Sequence, residues 1–165
     1  MSKPLADFQG NVLYLDTMIL YAFMRAVEPT AQTLFSRIES GDLVAFTSVL
    51  TFDELSYHLL LALIRERHGG SPLERLRQDE AALISELYPA LAPQLAALRS
   101  YPNLSLVDVV AADLELMDDH MLRYHLRPRD ALHLAAMQKC GCFDLLSNDT
   151  DFDRVPFVQR YTLTS

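Results

Sequence analysis

The sequence predicts an α/β protein with a central parallel sheet of four to five strands and helices on both faces. Three observations carry that prediction. Short, largely apolar runs recur along the chain, as in Val12-Leu13-Tyr14-Leu15, Leu43-Val44-Ala45-Phe46-Thr47, Leu104-Ser105-Leu106-Val107-Asp108 and Phe143-Asp144-Leu145-Leu146-Ser147. Runs of this length read as strands buried on both faces. Between them lie longer segments with helical spacing and capping residues, and alternation of the two is the pattern of a doubly wound sheet. Finally, 165 residues that are 50% hydrophobic suffice for a sizeable core in one domain, 1–165. That composition also argues against disorder.

Each element follows from local chemistry. Residues 1–10 read as a loose lead-in to the first strand, 12–16. A helix starts at Thr17, with Asp16 or Thr17 as its N-cap, and Glu28-Pro29-Thr30 breaks it. The next helix runs from Ala31 to Glu39 and stops at Ser40-Gly41. After the second strand, Ser48 to His68 reads as a long helix ended by Gly69-Gly70.

Segment 71–100 is a helical insertion the sheet does not need. Ser71-Pro72 supplies an N-cap with proline at the first helical position. Pro89 and Pro93 are expected to divide the segment into an antiparallel pair. The third strand, 104–108, leads to a helix from Val110 to Tyr124. Pro128 opens a strongly apolar helix that reaches Lys139 and is stopped by Gly141. A fourth strand, 143–147, and a last one near Phe157–Leu163 complete the sheet, the last expected at its edge.

Lys and Arg number 14 against 22 Asp and Glu, a formal charge of −8. Phosphate-binding surfaces are normally basic, so this balance opposes a nucleic-acid partner unless clustered acids hold divalent cations. Cys140 and Cys142 form a lone C-x-C with no second pair to complete a zinc site. They are expected to be buried thiols in a reduced compartment. The N-terminal residues have no signal-peptide pattern, and no uninterrupted apolar run reaches ~18 residues. The expectation is a cytoplasmic protein without a membrane span.

Four acidic positions stand out. Asp16 follows the first strand, where an N-cap role alone would explain it. Glu54 lies one turn into the long helix, and Thr51-x-x-Glu54 fits a capping box. Asp130 opens the apolar helix, where the helix dipole favours an acid. Asp149, Asp151 and Asp153 crowd the turn after the fourth strand and repel one another unless something cationic lies between them. In a doubly wound sheet, loops at the carboxyl ends of neighbouring strands open on one side. Four carboxylates in one crevice supply the hard oxygen ligands that Mg²⁺ or Mn²⁺ takes.

In this order the motifs resemble a PIN domain: Leu15-Asp16-Thr17, Thr51-Phe52-Asp53-Glu54-Leu55, Arg129-Asp130-Ala131-Leu132-His133-Leu134-Ala135 and Ser147-Asn148-Asp149-Thr150-Asp151-Phe152. The resemblance spans about residues 11–163. It implies a three-layer Rossmann-like fold and Mg²⁺- or Mn²⁺-dependent hydrolysis of RNA phosphodiesters, leaving 5′-phosphate and 3′-hydroxyl ends. Asp16, Glu54, Asp130 and Asp149 match the family's catalytic and metal-binding acids, and Asp151 a less constant one. Thr17 matches a small hydroxyl position beside the metal, and Arg129, with Arg127, flanks Asp130 where substrate phosphates would lie. By size the chain is similar to VapC-like toxins of type II toxin–antitoxin pairs. That likeness implies an antitoxin partner and a homodimer, although segment 71–100 is long for a compact toxin.

Two rivals stand beside this expectation. An aspartyl-nucleophile phosphatase wants a second Asp two residues after the first, and Met18 occupies that place. A non-catalytic PIN-like binding module would not need all four acids. His58, His120, His125 and His133 invite a reading as ligands, but His133, on an apolar helix, is expected to be a core-edge histidine. Tyr14, Tyr21 and Tyr57 are expected to pack, as are Met117, Met121 and Met137.

Overall fold

The structure is a computed structural model and describes residues 2–163. A six-stranded sheet runs through it, all neighbours parallel. Its strands are β1 (Lys3–Pro4), β2 (Val12–Leu15), β3 (Val44–Ser48), β4 (Leu104–Val107), β5 (Asp144–Leu146) and β6 (Gln159–Thr162), in the spatial order β1-β6-β5-β2-β3-β4. The helices are α1 (Thr17–Arg25), α2 (Pro29–Glu39), α3 (Val49–His68), α4 (Pro72–Arg99), α5 (Asp113–Tyr124) and α6 (Pro128–Cys140). The α/β class and the parallel sheet are as the sequence predicts, with more strands than the four to five expected.

Alternation along β2 shows how the layers form. Successive strand residues face opposite sides. Leu13 and Leu15 enter a cluster with Ile19, Phe35, Leu55 and the leucines of α4. Tyr14, between them, enters a second cluster with Leu134, Met137 and Leu145. Both faces of β2 are therefore covered, which is why its sequence reads as an unbroken apolar run.

Three local expectations need correction. Residues 1–10 are no loose lead-in: Lys3–Pro4 pairs with Tyr161 and Thr162, and Leu5–Asp7 form a 3₁₀ turn. β1 therefore takes the edge expected for β6. Two residues give too short a pattern to betray a strand, and Pro4 costs nothing at an edge.

Segment 71–100 does hold two helical stretches, which together make α4, but they meet at a kink at Asp79 and not at the prolines. Pro89 and Pro93 lie one turn apart on its exposed side, so the carbonyls they leave unpaired face water. Only Asp79 leaves helical geometry, at φ −136° and ψ 42°. The antiparallel partner of α4 is α3, reached through Gly69-Gly70-Ser71. Leu83, Leu87, Leu91 and Leu95 bury their side chains in the cluster that also holds Leu59, Leu60 and Ile64 of α3. Among the described residues α4 is the one helix long and apolar enough, by length and composition, to cross a membrane. Its leucine stripe is already occupied by α3.

Cys140 is half-buried and Cys142 buried, both as free thiols. Met137 is fully buried, whereas Met117 and Met121 only flank the core.

Candidate active site

The strand order reverses at β2. From β2 the chain winds outward through β3 to β4 on one side, while β5 and β6 lie on the other. A crevice opens at such a switch point, outside the carboxyl ends of the strands. Asp16 follows β2 and Asp149 follows β5, so both stand at its mouth. The Asp16 amide donates to the Leu146 carbonyl at 3.1 Å, locking the two strand ends together.

Asp16 does cap α1: its Oδ1 accepts from the Thr17 amide at 2.7 Å. Its Oδ2 accepts from the Ser147 hydroxyl at 2.5 Å, a contact with the next strand that no local cap would require. Ser147 is the hinge of the acidic loop. It is fully buried, and its Oγ also accepts from the Asp149 amide at 3.0 Å. The Ser147 carbonyl accepts from Arg160 Nη1 at 3.1 Å, and Arg160 in turn grips Asp153 through two 2.9 Å bonds. Arg160 is only 4% exposed, so this ion pair anchors the loop from inside the protein.

The acids after β5 therefore do not share one fate. Asp153 is held by Arg160. Asp151 pairs with Arg154 at 2.8 Å and lies 3.9 Å from Arg127. Asp149 Oδ1 caps the following 3₁₀ turn through the Asp151 amide at 2.8 Å. The repulsion expected among the three is met partly by arginines, and only Asp149 and Asp151 join Asp130. These last three each offer an oxygen within 4.8 Å of the others.

Across the crevice, Glu54 corrects a further expectation. It makes no capping box: Ser48 is the N-cap of α3, and the Thr51 hydroxyl is bonded to Thr47 at 2.7 Å. The Thr47 hydroxyl donates to the Leu15 carbonyl at 2.8 Å, tying α3 to the end of β2. Glu54 points instead to the site, where Oε2 accepts from the Thr17 hydroxyl at 2.5 Å and Oε1 meets Arg129 at 2.9 Å. Arg129 also reaches Asp53 at 3.2 Å. Asp16, Glu54 and a ring nitrogen of His133 form a second group within 4.8 Å of one another.

α6 supplies both Asp130 and His133, one turn apart on its inward face. His133 is buried at 3% exposure, so the core-edge expectation holds for its burial but not for its surroundings. Its Nδ1 is bonded to the Tyr14 hydroxyl at 3.0 Å and to Ser48 Oγ at 3.3 Å. Burial pushes the imidazole pKa down, against the pull of Asp16 and Glu54. The Asp130 carboxyl is pushed up to about 6, first by burial and then by Asp149, Asp16 and Asp151. Asp130 Oδ2 and His133 Nε2 are buried and have no hydrogen-bond partner.

These groups line a cleft of about 410 Å³, with Met18, His58, Arg127 and Asn148 at its rim. A larger hollow of about 520 Å³, near Leu5 and Thr33, is lined among the described residues by one charged side chain, Arg37, and by no carboxylate. Carboxylates crowded to this degree, one with a raised pKa and an orphaned oxygen, are a donor set that a divalent cation fits. Sequence reasoning passed over Ser147, Arg160 and the placement of His133. An arginine within a closing apolar strand was the available sign, since a buried charge needs a partner.

A parallel sheet with an acid-lined cleft at its switch point defines an α/β protein built for ligands that prefer hard anionic oxygen. The family model of the PIN domain matches residues 13–158, and the chain belongs to that family. No curated protein matches it in sequence.

Its fold is similar to that of VapBC2 from Rickettsia felis, solved bound to a DNA fragment from their promoter. The TM-score is 0.58 at 13% identity, over 92% of this chain and 98% of that one. It is also similar to VapC20 of Mycobacterium tuberculosis, a Sarcin-Ricin loop cleaving toxin. There the TM-score is 0.55 at 22% identity, over 89% of this chain and 97% of that one. A toxin–antitoxin complex from Klebsiella pneumoniae gives a TM-score of 0.50 at 17% identity, over 88% and 94%. At these identities the likeness is one of fold.

Proposed function

We propose that this protein is an endoribonuclease dependent on Mg²⁺ or Mn²⁺, and the toxin of a type II toxin–antitoxin pair. One observation carries the enzymatic part: four carboxylates, Asp16, Glu54, Asp130 and Asp149, line one cleft at the switch point, with Asp151 grouped beside Asp130 and Asp149. Asp16, Asp130 and Asp149, with Glu54 and Asp151, would hold the cation. The chemistry such an ion supplies is a lowered water pKa and neutralisation of phosphoryl charge.

The chain's own part is orientation. The Thr17 amide and the Ser147 hydroxyl fix both oxygens of Asp16, so its remaining lone pairs aim into the cleft. The Thr17 hydroxyl fixes Glu54. Arg127 and Arg129 stand at the rim, more than half exposed, where a phosphate of the RNA strand can be met bidentately. Arg129 is held beside Glu54, so substrate and carboxylate would share its guanidinium.

Support for toxin status comes from the fold of the VapC proteins, one of which is a Sarcin-Ricin loop cleaving toxin. The partner would be an antitoxin, and a homodimer is consistent with the same likeness. The place of action proposed is the cytoplasm.

The test is cleavage of a mixed pool of structured RNAs by the purified chain with Mn²⁺, read by end-mapping. Cleavage that vanishes with EDTA and in Asp16→Asn is expected. Full activity in a folded Asp16→Asn protein would sink the assignment. Induction in a bacterial host should arrest growth, and co-expression of the reading frame beside this gene should relieve it.

A further inference from the structure

We infer that His133 Nε2 is a nitrogen ligand of this site, completing with Asp16 and Glu54 a two-carboxylate, one-imidazole set for a first-row divalent cation such as Mn²⁺. The inference rests on the metal-dependent reading above and goes beyond it by adding a donor that is not oxygen.

The geometry points there from two directions. A ring nitrogen of His133 lies within 4.8 Å of an oxygen from each of Asp16 and Glu54. Independently, Nε2 is buried with no hydrogen-bond partner, on a side chain only 3% exposed. A buried imidazole nitrogen without a partner is destabilising whether it carries a proton or a lone pair. Protonated, it is a donor that reaches neither carboxylate. Unprotonated, it turns a lone pair toward two anions. A cation between the three satisfies all of them.

The far side of the ring is already arranged for this. A metal-binding histidine engages its other nitrogen with a fixed partner, which sets the tautomer and the ring plane. Nδ1 has two, the hydroxyls of Tyr14 and Ser48. Both hydroxyls can accept the Nδ1 proton, leaving the Nε2 lone pair for the metal. Tyr14 and Ser48 come from the ends of β2 and β3 regions that the sheet holds rigid, and Tyr14 pairs in register with Phe46.

Imidazole favours first-row transition cations over Mg²⁺, which prefers oxygen. The site should thus bind Mn²⁺ more tightly than an all-oxygen site would, with a smaller His133 contribution for Mg²⁺.

The experiment loads the full chain with Mn²⁺ alone and records its pulsed EPR spectrum, using protein labelled with either ¹⁴N or ¹⁵N histidine. A directly bound imidazole gives a nitrogen modulation that changes with the label, and the wild-type chain needs no substitution to show it. His133→Gln should lose that modulation and roughly 10-fold or more in Mn²⁺ affinity, with a smaller change for Mg²⁺. His58→Gln, at the same cleft, should keep both. If Mn²⁺ binds in an Asp16-dependent manner but shows no imidazole coupling, or shows coupling that His58→Gln removes, the inference is overturned and the metal-dependent reading stands. If no Asp16-dependent binding occurs at all, both fall.

Discussion

The two ends of α6 carry the same kinds of residue and treat them differently. At the C-terminal end Lys139 Nζ donates to Asp113 Oδ2 at 2.8 Å and to the Asp108 carbonyl at 2.6 Å. Asp113 also accepts from the Val110 amide at 2.8 Å. Lys139 and that amide hold the Asp113 carboxyl below its ordinary range. At the N-terminal end Asp130 has an orphaned oxygen, three acids for neighbours and a pKa pushed up to about 6. The same helix thus ends in a satisfied clamp and begins in an unsatisfied one. The contrast separates polar groups that build the fold from polar groups that wait for a ligand.

Breaking the N-terminal end should have the largest effect. Asp130→Asn is expected to lose roughly 10³-fold in RNA cleavage, the rate equivalent of about 4 kcal/mol, because it removes a charge the cation needs. Steady-state cleavage with Mn²⁺ measures it, and a loss below tenfold would mean that Asp130 is not a ligand.

Next in size is the response to metal. At a concentration 100 times its dissociation constant, Mn²⁺ should stabilise the wild-type chain by about 2.7 kcal/mol, a rise of roughly 5–10 °C in Tm. The rise should persist in Asp113→Asn and disappear in Asp130→Asn. An equal rise in both variants would erase the distinction between the two ends.

Asp113→Asn should cost about 1–3 kcal/mol of stability at neutral pH, with cleavage unchanged. The pH dependence has a definite sign. Asp113 titrates lower in the folded chain than in the unfolded one, so its contribution is present above the unfolded value and lost as pH falls through the folded value. Urea unfolding of wild type and variant should therefore differ at pH 7, and the gap should begin to close only as pH falls below about 4.

The smallest effect runs the other way. Asp130 binds its proton more tightly folded, at about 6, than unfolded, so ionising it costs stability as pH rises through that window. Without metal, Asp130→Asn should be as stable as wild type or more so, by up to about 1 kcal/mol at pH 7. A clear destabilisation there would place Asp130 among the groups that build the fold.

The candidate site was legible as a set of acids and illegible as a set of contacts. Asp16, Glu54, Asp130 and Asp149 each sat beside a strand end or helix start, and such places are visible in a single sequence. In the sequence Ser147 closes the fourth strand and Arg160 lies within the last, and neither position names its partner. Both matter through partners distant in the chain: Ser147 reaches Asp16 and Arg160 reaches Asp153 and Ser147. Thr51 shows the reverse error. Its spacing to Glu54 fits a capping box, but its hydroxyl is taken by Thr47, four residues away, while Glu54 is drawn to the distant Thr17 and Arg129. The prolines of α4 failed as breaks for a similar reason, since exposure of their helix face lets water take the unpaired carbonyls.

By itself the sequence determined the α/β class, the alternation of strand and helix, and which acids fall at strand ends. Those are local properties, set by side-chain periodicity and capping within a few residues. Tertiary structure alone decided that β1 closes the sheet, that α4 pairs with α3, and that a ring nitrogen of His133 comes within 4.8 Å of Asp16 and Glu54 oxygens. Each of these depends on the fate of a buried polar or apolar group once distant segments meet. A hydrogen bond or a desolvated nitrogen exists only between partners, and the chain order does not name them.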